Sequence, residues 1–164
     1  GKLLDTDLAD IHGQFAFNFQ HAAISREESG KFLSLAFWRD FQRNGPSLFR
    51  ICRTTFQGWK RYNNHPDLRV RERFEREARP LRRVYAGILW AMERRLRHTN
   101  HSVSLQIRAL REDLEREFGV FTTAAARVLG PVLWWTSLRE DKRLASGHSY
   151  EPPTIIERTN WAEI

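Results

Sequence analysis

Cysteine and methionine are nearly absent from this 164-residue sequence, which has one of each, Cys52 and Met92. A lone cysteine excludes an internal disulfide and any multi-cysteine metal or cluster site within the chain. In the apolar-periodic stretch LFRICRTTF, Cys52 reads as a small buried hydrophobe rather than a reactive thiol. An unpaired cysteine fits a reducing, cytoplasmic setting. Long apolar runs are missing too. VYAGILWAM and VLGPVLWW reach about half of the eighteen or so residues that a membrane-spanning helix needs, so a soluble core is expected to take both. No secretory leader is visible. There is no Gly-x-Ser-x-Gly elbow, glycine-rich phosphate loop or His-Glu-x-x-His helix, so the chain is not expected to be catalytic alone. It begins Gly1-Lys2-Leu3-Leu4 without an initiator methionine, which reads as a piece of something longer.

What is plentiful is bulk and base. Hydrophobic residues make up 41% of the chain, with six Trp and eleven Phe to fill a core. A single domain of this size buries roughly 70% of its unfolded surface and needs no staples. The 27 basic residues outnumber the 20 acidic ones, for a formal charge of +7. Such an excess points to nucleic acid, an anionic membrane surface or an acidic partner surface without choosing among them.

Along the chain, residues 1–24 read as a junction segment containing one short strand. Phe15, Phe17 and Phe19 alternate with Ala16, Asn18 and Gln20, the period of a strand with one apolar face. Such a strand could pair two copies of the chain into a homodimer. Residues 25–146 read as a helical domain. Ser25 to Glu28 is a capping box. Leu33, Phe37 and Phe41, widened by Phe32 and Trp38, form the inward face of the helix it opens, and Asn44-Gly45-Pro46 stops it. Ser47 to about Tyr62 gives a second helix with Leu48, Cys52, Thr55, Trp59 and Tyr62 on one stripe. Asp67 is the expected N-cap of a third. Pro80 interrupts that helix near Arg79, because a helix-interior proline costs about 3 kcal/mol, and is well placed to open the next one.

That next helix is expected to bury Leu81, Val84, Tyr85, Ile88, Leu89, Met92 and Leu96. Ser102 starts a helix with Val103, Ile107, Leu110, Leu114 and Phe118 inward, stopped by Gly119. Thr122 or Thr123 opens the last helix, which should bury Val128, Leu129, Val132, Leu133, Trp135 and Leu138, bend at Gly130-Pro131 and end at Gly147. Residues 147–164 read as an extended tail whose two prolines, two isoleucines and Trp161 suit a neighbouring surface better than water. The fold class expected is mainly α: an irregular bundle of five or six helices, one short N-terminal strand and an extended C-terminal tail.

The densest chemistry lies between Leu68 and Arg97, with ten Arg against four Glu. Arg69, Arg73, Arg76, Arg82, Arg83, Arg94 and Arg95 are the candidate partner- or anion-binding residues, since a guanidinium fork matches phosphate and carboxylate. The competing expectation is a solvated or partner-facing helix with Glu72–Arg76 and Glu75–Arg79 as i,i+4 pairs. No zinc-finger, RNA-recognition or homeodomain signature accompanies the arginines. His98 and His101 stand three apart without further ligands in range, and His12 and His21 are equally alone, so all four read as loop histidines. No catalytic, cofactor-binding or metal residue is assigned.

Taken in order, Leu8 to Gly13, the strand Phe15 to Phe19, Ile24-Ser25-Arg26-Glu27-Glu28, Phe37-Trp38-Arg39-Asp40-Phe41 and Pro46-Ser47-Leu48 resemble the region after the barrel in cobalamin-binding radical SAM enzymes. The resemblance covers about the first 60 residues, and its motifs are structural. It implies that the strand packs beside a barrel and the helices form a C-terminal extension. An iron–sulfur cluster, S-adenosylmethionine and cobalamin would then belong to the parent polypeptide, not to this chain. The family's Cys-x-x-x-Cys-x-x-Cys motif is absent, and no catalytic residue carries over. The expectation is therefore a non-catalytic accessory domain of a radical SAM, Fe–S oxidoreductase-type protein, packed on the rest of its parent or on substrate. The alternative is a self-standing basic helical module for nucleic acid or an anionic membrane surface.

Overall fold

Ser25 and Glu28 set where the first helix begins. The Ser25 amide donates to Glu28 Oε2 at 2.9 Å, and the Glu28 amide donates to Ser25 Oγ at 3.2 Å, so two amides left over at the helix start are satisfied reciprocally. The helix they open, α1 (Arg26–Asn44), is the first of six in a computed structural model that describes residues 17–148. Gly45 ends it at φ 74°, a backbone region that side chains disfavour. A Cβ there would also lie 2.7 Å from Val103 Cγ1.

The other elements are α2 (Ser47–Tyr62), α3 (Leu68–Ala78), a 3₁₀ turn (Arg79–Arg82), α4 (Val84–Leu96), α5 (His101–Phe118) and α6 (Val120–Ala145). Asp67 caps α3 as its position predicts, accepting from the Arg69 amide at 2.8 Å. Pro80 breaks the helix where expected, but it opens the 3₁₀ turn and α4 begins only at Val84. α5 starts at His101, one residue ahead of Ser102, and is capped by Asn100, whose Oδ1 accepts from the Val103 amide at 3.2 Å. Gly119 alone separates α5 from α6, so α6 starts ahead of both threonines and continues through Pro131 without a break.

The chain divides into two compact units, Trp38–Lys142 and a second formed by the segments on either side, of which residues 17–37 and 143–148 are described. Inside Trp38–Lys142, α4 and α5 share the broadest contact and α2 packs on α3. The core joins Phe49, Cys52, Phe56 and Trp59 of α2 to Leu81, Leu89 and Leu96, and to Val103, Ile107, Leu110 and Leu114 of α5. The α5 stripe is therefore the one its spacing predicts, with Phe118 half-buried at its end. The α2 stripe is rotated. Phe49 and Phe56 go inward, whereas Leu48 and Thr55 are only half-buried, because the larger rings remove more apolar area from water.

Two expected faces do not pack. Phe32, Phe37, Trp38 and Phe41 of α1 stay exposed, with Phe37 at 58% and Trp38 at 59%. On α6, Val128, Leu129, Val132 and Trp135 are exposed, while Thr122, Ala126 and Gly130 are its buried residues. Small residues take the inward positions because α6 approaches α4 closely. A Cβ on Gly130 would fall 2.6 Å from the Trp90 ring, and one on Gly87 would fall 2.7 Å from Leu129 Cβ. Val84, expected inside, is likewise exposed.

Of the predicted strand, Phe15 and Ala16 lie outside the described residues. Phe17 to Phe19 form no strand among the described residues, with Phe19 making a single isolated bridge. The Phe17 amide donates to Ser29 Oγ at 2.9 Å, and the Phe17 and Phe19 rings stack at 4.9 Å. Ring placement on alternate residues survives there without a sheet. The tail lies outside the described residues from Ser149 onward.

Candidate interaction surface

The arginines of α3, the 3₁₀ turn and α4 go largely to partners within the unit. Arg69 pairs with Asp67 at 3.5 Å and Arg73 with Glu77 at 3.0 Å. Arg82 forms a two-pronged pair with Glu75, at 2.8 Å and 3.1 Å, and lies 4.7 Å over the Phe118 ring. Arg94 stacks 4.7 Å over Trp90, and Arg95 pairs with Asp141 of α6. Arg76 and Arg83 make no ion pair among the described residues. The expected Glu72–Arg76 and Glu75–Arg79 pairs do not form. Glu75 is held elsewhere, accepting also from Trp59 Nε1 at 2.9 Å. Periodicity can propose an i,i+4 pair, but a carboxylate beside a buried indole N–H and a forked guanidinium gains more from those.

A second charge cluster escaped the sequence. Glu93, buried on α4, accepts from Arg108 Nε at 2.8 Å and Arg111 Nε at 3.1 Å. Arg111 also pairs with Glu115. Burial pulls the Arg111 guanidinium toward its neutral form, but Glu115 and Glu93 outweigh it and its pKa is raised. Glu93 and the two arginines stand on different helices, so local spacing could have announced only the Arg111–Glu115 pair. The cluster ties α4 to α5.

Cys52 is fully buried, and burial pushes its thiol up to about 12. One protonated, enclosed thiol does not fit an iron–sulfur cluster, which needs several accessible thiolates. His98 and His101 are exposed. No group of three or more His, Cys, Asp or Glu side chains is arranged for a metal among the described residues, and no helix there is long and apolar enough to cross a membrane.

Besides the exposed apolar face of α1, two surfaces are left with chemistry to offer. One is the apolar side of α6, where Val128, Val132 and Trp135 stand out and Arg139 lies 4.7 Å over the Trp135 ring. The other is a cleft of about 520 Å³ where the 3₁₀ turn meets the α5–α6 junction, lined by Arg82, Arg83, Glu117, Phe118, Phe121 and Thr122. No protein-family model, curated protein or solved structure matches the chain.

Proposed function

We propose that this chain is a non-catalytic helical accessory domain that docks through apolar side chains on the catalytic part of a radical SAM, Fe–S oxidoreductase-type polypeptide. The observation that carries the docking is the exposed apolar run of α6, with Val128 at 68%, Val132 at 56% and Trp135 at 53%. An apolar patch of that kind, rimmed by polar residues, marks an interaction site more often than a free surface. Arg69, Arg73, Arg82 and Arg95 already have carboxylate partners, so contact through α6 fits better than contact through the arginine-rich helices with an acidic surface. The radical SAM assignment rests on the motif order of the first 60 residues. Cluster, S-adenosylmethionine and cobalamin would all be held by the parent.

Sedimentation of the isolated chain tests the docking. The expected result is concentration-dependent self-association that persists in high salt and disappears in a Val128→Glu, Val132→Lys double variant. A monodisperse chain that binds DNA or RNA at about micromolar affinity, falling steeply with salt, would overturn it. A Cys-x-x-x-Cys-x-x-Cys motif in frame upstream tests the parentage separately.

One observation favours a second reading. Arg139 over Trp135 beside Val132 is the composition of a helix lying in a membrane interface. Co-sedimentation with anionic but not neutral vesicles, lost in Trp135→Ser, would place α6 there instead.

A further inference from the structure

Ser29 is the one buried residue of α1. The segment ahead of the helix covers that side, where the Phe17 amide donates to Ser29 Oγ at 2.9 Å. Arg26, Gly30 and Leu33, which share the side with Ser29, are half-buried. The rest of the helix is bare, and Phe32, Leu35 and Phe37 are all exposed. Phe32 and Leu35, three apart, make one apolar patch with exposed Lys31 at its edge. Large apolar side chains grouped in water in this way mark a surface that something covers.

The chain carries a segment of matching chemistry. Residues 149–164, SYEPPTIIERTNWAEI, continue from His148 and lie outside the described residues. Residues 143–148, which lead into them, belong to the same compact unit as residues 17–37. The exposed apolar residues of α6, Val128 to Trp135, belong to the other unit, so continuity singles out α1. The segment offers Ile155, Ile156 and Trp161 as apolar side chains, and Pro152-Pro153 favours extended backbone ahead of them. Its charge is the reverse of the chain's: three Glu against one Arg, where the whole has 27 basic and 20 acidic residues. Reach is ample. The seven residues after His148 extend to roughly 24 Å, and the part of α1 in that unit, residues 26–37, is about 18 Å long.

We infer that residues 149–164 dock in the same molecule on the exposed side of α1, with Ile155 and Ile156 on Phe32 and Leu35 and the adjoining Glu157 facing Lys31. The existing Lys31–Glu27 pair is no obstacle, because its side chains are 73% and 80% exposed and such pairs are worth little. A segment tethered this closely meets its site at an effective concentration in the millimolar range, so a modest apolar contact is enough to hold it. Docking there closes α1 to other partners and leaves the apolar side of α6 open. The inference does not depend on the docking proposed for α6.

Photo-cross-linking in the full chain tests this. Benzoylphenylalanine in place of Phe32 should join residues 149–164 of the same molecule on irradiation. The yield should fall about tenfold in an Ile155→Asp, Ile156→Asp double variant, because a carboxylate is costly to bury. The same probe in place of Phe121, exposed on α6, should give no such product. Limited trypsin digestion supplies a second readout. Cleavage after Arg158 should be about tenfold faster in a Phe32→Ser, Leu35→Ser double variant than in the parent chain. Amide exchange in α5 should be equal in the two, since both replaced side chains are exposed. A cross-link to a second molecule would assign the face to another copy and overturn the inference. So would the absence of any product with residues 149–164, an equal yield from position 121, or equal cleavage after Arg158 in the two proteins.

Discussion

Gly130 of α6 sits against the ring of Trp90 on α4 so closely that a Cβ would fall 2.6 Å from Cδ2 and 2.7 Å from Cε3. Gly130→Ala therefore sets two effects against each other. Alanine gains up to about 1 kcal/mol of helix propensity over glycine, but overlap with ring atoms close to the Trp90 backbone forces the helices apart. Overpacking of this kind costs about 1–3 kcal/mol. A net loss of about 1 kcal/mol in urea-measured stability is expected, and the cost of Gly130→Ala should be smaller when measured in a Trp90→Ala background. An unchanged or raised midpoint in Gly130→Ala would show that α6 does not rest there.

Removing Glu93 should cost far more than removing Glu77, on the surface of α3. Glu93→Ala leaves Arg111, half-buried, with Glu115 alone and strips Arg108 of its acceptor. About 2–3 kcal/mol is expected, at or below the lower end for a broken buried pair because Arg108 can turn to water. Glu77→Ala, which loses only the exposed pair with Arg73, should cost less than about 0.5 kcal/mol. Denaturant titration of the two variants decides it, and equal losses would contradict the placement of Glu93.

Acid should loosen the start of α1 before the core. Glu28 is held below its ordinary value of 4.5, first by the Ser25 backbone amide and then by the Ser25 hydroxyl. A depressed carboxyl contributes stability that is complete above its unfolded value and is lost as pH falls through the lower folded one. Hydrogen exchange in the first turn of α1 should therefore accelerate as pH falls below 4.5, beyond the intrinsic pH trend. In Glu28→Gln that pH-dependent component should vanish. Matching profiles in the two proteins would remove the capping box from the account.

Cys52 should be chemically silent while the chain is folded. With the thiol pushed up to about 12 and no exposed surface, the reactive thiolate is scarce at neutral pH. Ellman's reagent should react slowly with the native chain and immediately in guanidinium. Rapid labelling of the native chain would mean that α2 opens readily from the core.

The helices that bury an apolar stripe against several neighbours were legible from spacing. On α5, Val103, Ile107, Leu110 and Leu114 go inward as their period requires. Caps with local partners, Ser25 with Glu28 and Asp67 with Arg69, were legible for the same reason. The apolar residues of α1 and α6 misled because hydrophobicity marks what could be buried, and a burying partner is a separate fact. Thr122 was legible only as a possible helix start, and its complete burial follows from neighbours that no local spacing announces.

Asn100 does two jobs with two ends of one side chain. Its Oδ1 accepts from the Val103 amide, while its Nδ2 donates to the Gln42 carbonyl at 2.9 Å and to Gln42 Oε1 at 3.1 Å. Exchanging that amide for a carboxylate, as in Asn100→Asp, would not affect the two ends alike. The cap on α5 would keep its acceptor and gain a charge favourable to a helix start. The far end would exchange a donor for an oxygen facing two oxygens. Asn100→Asp would thus free the tether to Gln42 and leave α5 as firmly started as before, a selective loosening carried by one atom.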